Sequence, residues 1–162
     1  MADKTLDTLF HDTLKDIYYA ERKILKSLPK MVRAAQSPEL KAAFEKHIGQ
    51  TEGQIERLQQ VFDIIGKPAR GKTCEAIEGI LAEGDEIAEE YKGTAALDAG
   101  LLAAAQAVEH YEITRYGTLA TWAKQLGRED CAAVLAETLE EEKEADEILT
   151  DVAKGHVNAE AA

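Results

Sequence analysis

Four stretches of this chain repeat apolar side chains at alternating spacings of three and four, a period that only an α-helix with one buried stripe can use. In the first, Thr5 to Ala35, the stripe reads Phe10, Leu14, Ile17, Glu21, Ile24, Leu28 and Met31. The second, Pro38 to Ile65, gives Leu40, Phe44, His47, Thr51, Gln54, Leu58, Val61 and Ile65. The third, Ala95 to Leu126, gives Leu102, Ala105, Glu109, Glu112, Tyr116, Leu119, Ala123 and Leu126. The fourth, Arg128 to His156, gives Cys131, Leu135, Thr138, Glu142, Ala145, Leu149, Val152 and His156. Each stripe is apolar toward both ends, His156 at the close of the fourth excepted, and polar near its middle.

Punctuation between these segments sets the topology. Ser37-Pro38-Glu39 reads as an N-cap followed by proline at the first helical position, and Gly66 and Gly127 read as stops. Pro29 predicts a kink or a local break within the first helix rather than its end, because apolar spacing resumes at Met31 and Val32. A shorter helix is expected over Cys74–Tyr91, weakened by Gly79 and Gly84, and the tail from Asn158 to Ala162 is expected to fray. The first and second helices, like the third and fourth, are joined by a few residues and so form antiparallel hairpins. The long connection between the hairpins can return the chain to the other end of the bundle. The expected fold is all-α: a single ferritin-like antiparallel four-helix bundle over residues 1–162, with a fifth helix in the crossover.

Antiparallel helices of similar length meet at mid-depth whichever way they point. The four polar interruptions therefore converge on one small volume in the core. Carboxylates buried together cost several kcal/mol each and repel one another, and a divalent ion resolves that cost. Carboxylate oxygens suit iron and manganese, and Glu109 and Glu112, at i and i+3, lie on one helical face a turn apart. Glu21, Glu109, Glu112 and Glu142 are thus the candidate ligands. Each has a plainer reading: the fourth helix's run of Glu137, Glu140, Glu141 and Glu142 puts some glutamate inward by composition alone. His47 reads first as a core histidine satisfied by hydrogen bonds and second as a ligand. Gln54 is a neighbour or a weak ligand, and Tyr116 is either core or a donor behind the ligands.

Composition closes other routes. The net charge of -12, with no basic tail, argues against nucleic acid as a partner. Cys74 and Cys131 lie far apart and outside any CxxC pair, so they supply neither a zinc nor a rubredoxin-type iron site. No secretory h-region and no membrane-length apolar run is visible, which makes the cytoplasm the expected location.

The segments AERKILKSLPKMVRAA, HIGQTEGQIERLQQVF, AAQAVEHYEITRYGTLATWAKQLG and ETLEEEKEADEILTDVA together resemble the YciE/YciF family of bacterial ferritin-like proteins, from Leu6 to Ala153. The resemblance implies a ferritin-like fold, a homodimer, a place in bacterial stress responses and ferroxidase or peroxide-scavenging chemistry. The wider group of di-iron ferritin-like proteins, rubrerythrin among them, implies a ligand template. In it Glu21 matches the first-helix ligand, Glu109 and Glu112 the Glu-x-x-Glu pair, and Glu142 the last-helix glutamate. Both template histidines are missing: Arg57 and Ala145 stand at their positions, with His47 and Asp146 as off-register substitutes. Two expectations stand side by side. One is an iron or manganese oxidoreductase, its electrons drawn from Fe(II) or a separate donor. The other is a non-catalytic dimer whose polar layer fixes helix register and binds no metal.

Overall fold

A computed structural model describes residues 3–162. Its elements are α1 (Leu6–Ala34), α2 (Pro38–Ile64), α3 (Glu75–Glu90), α4 (Leu97–Gln125) and α5 (Glu129–Val152). A π-helical turn, Ala153–Val157, then leads into a last short helix, α6 (Asn158–Ala161). No strand occurs among the described residues.

Local chemistry explains the ends. The Thr5 hydroxyl accepts from the Thr8 amide at 3.2 Å and the Ser37 hydroxyl from the Leu40 amide at 3.3 Å, each capping a helix start. Gly66 and Gly127 take φ of 66° and 72°, the left-handed geometry that closes α2 and α4. Pro29 sits inside α1, which runs on to Ala34, and the Leu25 carbonyl loses its amide partner where the chain is half-buried. The expected frayed tail is instead helical to Ala161, because the π-turn keeps Ala153 and Val157 buried.

The four long helices form a ring in the order α1, α2, α5, α4, and every neighbouring pair is antiparallel. The segment from Gly66 to Glu90 carries the chain from the end where α2 stops to the end where α4 begins. On the way α3 lies outside the α1–α4 edge and buries only Ile77 fully. It sits close: a Cβ on Gly100 would fall 2.6 Å from Ile87 Cγ2. At the other end, Asp98 of α4 accepts from the Gln36 and Ser37 amides at 2.8 and 2.6 Å and pins the α1–α2 turn. No helix among the described residues is long and apolar enough to cross a membrane.

The apolar core is in two parts. One holds Phe10, Leu14, Phe62, Leu119 and Leu135; the other holds Leu40, Phe44, Leu101, Leu102 and Leu149. Between them lies a buried layer of Glu21, His47, Thr51, Gln54, Glu109, Glu112, Thr138 and Glu142.

Candidate metal centre

Three helices deliver the centre. From α2 comes His47, from α4 Glu109 and Glu112, and from α5 Glu142; each offers one ligand atom, and those atoms all lie within 4.8 Å of one another. His47 Nε2 is 3.1 Å from Glu109 Oε1 and 3.9 Å from Glu112 Oε2. The shorter approach is misaligned for a hydrogen bond, and neither ring nitrogen has a hydrogen-bond partner among the described residues. The expectation of a satisfied core histidine is therefore corrected: the ring is buried, unbonded and aimed at two carboxylates.

Glu21 of α1 stands beside this group. Its Oε1 accepts from the Tyr116 hydroxyl at 2.7 Å, which gives Tyr116 the supporting place behind a carboxylate. The second oxygen of Glu21 has no partner of this kind, nor do Glu109 Oε2 and both oxygens of Glu112 and Glu142. Gln54 is fully buried with neither its amide nitrogen nor its oxygen bonded. So many orphaned polar atoms in one layer are rare in a folded protein, where buried polar groups are nearly always paired.

Burial dominates the electrostatics. It pushes the Glu21 carboxyl up to about 8, aided by the charge on Glu142 and opposed by the hydrogen bond from Tyr116. Burial again, followed by the charge on Glu142, holds Glu109 and Glu112 well above the usual carboxylate range. Desolvation and the charge of Glu21 likewise raise the Tyr116 hydroxyl. Without a cation, burial favours the protonated carboxyls of Glu21, Glu109 and Glu112.

Asp146 does not join the centre. It faces the α4–α5 flank, where His110 Nε2 lies at 3.1 Å and the Gln106 amide donates to it at 3.3 Å. Four residues beyond Glu142, it is turned past the seam by the helical rotation of 100° per residue. Arg57, at the template's histidine position, also serves the flank: it pairs with Glu137 at 3.1 Å and donates to the Thr138 hydroxyl at 3.3 Å. The nitrogen that faces the carboxylates, that of His47, comes from two turns earlier on the same stripe as Gln54. Its inward register was visible in the sequence. What was not visible was its reach toward Glu109, which depends on how far α2 slides along α4.

Known proteins similar to this chain share both length and fold. Residues 5–162 match the family described as a domain of unknown function, DUF892. Protein YciF of Escherichia coli strain K12 is 45% identical over 159 residues, covering 98% of this chain and 96% of that protein. The crystal structure of the E. coli stress protein YciF superposes with a TM-score of 0.91 at 44% identity, covering 96% of this chain and 99% of that one. YcfI of Rhodopseudomonas palustris, described as a candidate structural protein, gives 0.89 at 46% identity over 91% and 94%. A protein of Xanthomonas campestris pv. campestris shares the fold alone, with a TM-score of 0.74 at 21% identity over 98% of this chain and 96% of that one.

Proposed function

This chain belongs to the DUF892 family, with YciF among its members, and from that premise we propose a metal-binding, ferritin-like stress protein that oxidises Fe(II). The observation that carries this reading is the convergence of His47, Glu109, Glu112 and Glu142 with ligand atoms inside 4.8 Å. The donor set fits a divalent ion: one imidazole and three carboxylates suit iron or manganese, and their orphaned lone pairs need a cation. With iron, two Fe(II) each lose one electron, and dioxygen takes up both with two protons and leaves as hydrogen peroxide.

The chain's own groups divide the remaining work. Glu109 and Glu112 present carboxylates one turn apart from a single rigid helix, which fixes their spacing. His47 binds through a neutral nitrogen, and the protons held by Glu21, Glu109 and Glu112 must leave as a cation enters, so binding strengthens as pH rises. Tyr116 holds Glu21 in place and offers a proton at Oε1. The protein is expected to act as a cytoplasmic homodimer that binds no nucleic acid, with Fe(II) itself or a separate donor supplying electrons.

Aerobic Fe(II) titration of metal-free protein tests this, with Glu112→Ala and Glu142→Ala alongside. Saturable binding and oxidation faster than in buffer, both lost in the variants, are expected. Absence of binding, with the variants altered only in melting temperature, favours the second reading, in which the polar layer sets helix register. That reading draws on the description of the R. palustris relative as a candidate structural protein and on the Tyr116–Glu21 bond, which satisfies one carboxyl without metal.

A further inference from the structure

Two small cavities meet along the inside of α1 and α4. The inner one, about 30 Å³, reaches His47 and Glu109; Ser27, Lys46 and Gln50 also border it, and the rest of its wall is apolar, with Leu28, Phe44, Ala145 and Leu149 among the lining groups. The outer one, about 40 Å³, lies under α3 against Ala34, Gly84, Ala88 and Ala104. They share four wall residues, Ser27, Met31, Leu81 and Val108. The outer cavity in turn shares Lys30, Ala34, Asp85 and Ala88 with a surface hollow at the α3 C-terminal end. The Lys30–Asp85 ion pair there spans 3.2 Å and is exposed to solvent.

We propose that these spaces form an apolar path carrying dioxygen from the surface under α3 to the His47–Glu109 side of the centre. The inference rests on the metal-binding reading above and adds the oxidant and its route. Each cavity exceeds the volume of about 10–15 Å³ that one water needs, yet neither can hold an organic substrate. Apolar walls select among small oxidants. Hydrogen peroxide would lose its hydrogen bonds to water on entry and leave polar groups unpaired, whereas dioxygen has almost none to lose. Small residues make the path: glycine and alanine at 84, 88 and 104 leave the space beneath α3 that larger side chains would fill. The same feature explains why α3 buries only one residue fully and still stays on the bundle: it roofs a passage rather than filling a core.

Xenon, which enters dry apolar cavities of this size, is the probe. Metal-free protein is titrated with xenon and followed by xenon NMR shift, with Ser27→Leu to fill the shared wall and Leu81→Ala to widen it. Anaerobic Fe(II) binding and the rates of oxidation by dioxygen and by hydrogen peroxide are measured on all three proteins. Wild type should show a saturable xenon shift that Ser27→Leu loses and Leu81→Ala enlarges. Fe(II) binding should not change, and the dioxygen rate should fall several-fold in the first variant and rise in the second, with the peroxide rate unmoved. No xenon shift in wild type, or dioxygen rates equal in all three proteins that bind Fe(II), overturns the path. Failure of wild type to bind Fe(II) overturns the metal-binding reading instead, and the xenon result still stands by itself.

Discussion

Replacing Glu21 by glutamine should stabilise the metal-free protein at pH 8 and reduce the stabilisation that metal gives. Burial raises the Glu21 carboxyl from the ordinary 4.5 to about 8 in the folded chain. The folded state thus retains a proton that the unfolded chain has released, so this residue's contribution is fully present below pH 4.5 and is lost as pH rises toward 8. At about 1.4 kcal/mol per pH unit, the loss reaches about 4 kcal/mol by pH 8. Glutamine still accepts from the Tyr116 hydroxyl and carries no charge at any pH, so it recovers much of that loss. Glu109 and Glu112 remain to take part of the same penalty, which sets the expected gain at about 2–4 kcal/mol at pH 8 and near zero at pH 4.5. Urea unfolding with chelator present, at pH 5, 6.5 and 8, reads the gain as a shift in midpoint. Adding Mn(II) at a hundred times its Kd should then stabilise wild type by about 2.7 kcal/mol and the variant by less. A variant less stable than wild type at pH 8, or a gain equal at all three pH values, would refute the account of Glu21 as a buried acid held at a cost.

His47→Ala should abolish saturable Mn(II) binding in calorimetry, whereas Asp146→Asn should leave it unchanged, since only the first residue faces the carboxylates. Metal binding should release protons and tighten between pH 6 and pH 8, read as calorimetric enthalpies that depend on the buffer. Asp98→Ala removes the acceptor for one buried and one half-buried turn amide, and denaturant melts should show a loss of about 2 kcal/mol. Gly127→Ala forces a side chain into positive φ, and thermal melts should show a loss of about 1 kcal/mol with metal binding intact.

Helix positions were legible because amphipathic period, caps and glycine stops are local, and Ser37, Gly66 and Gly127 act within a turn of themselves. The crossover was legible from loop length alone. The depth of the polar layer could also be read, since Glu21, Glu109, Glu112 and Glu142 recur mid-stripe and antiparallel packing brings the middles together. The helical tail was not: α6 stays ordered because Ala153 and Val157 find a buried surface, and the segment itself gives no sign of that partner.

Which side chains meet within the layer is a different kind of fact. The sequence by itself determined that four helices would bury polar side chains at one depth, carboxylates from three of them, because the helical period fixes what shares a face. Only the tertiary structure decided that His47 reaches Glu109, that Asp146 turns away to His110, and that Gln54 stays unbonded nearby. A few ångströms of sliding between α2 and α4 change such contacts, and that slide is set by the packing of all the helices together. The same packing leaves the passage beneath α3, since a void is a property of surfaces that fail to meet and belongs to no single residue.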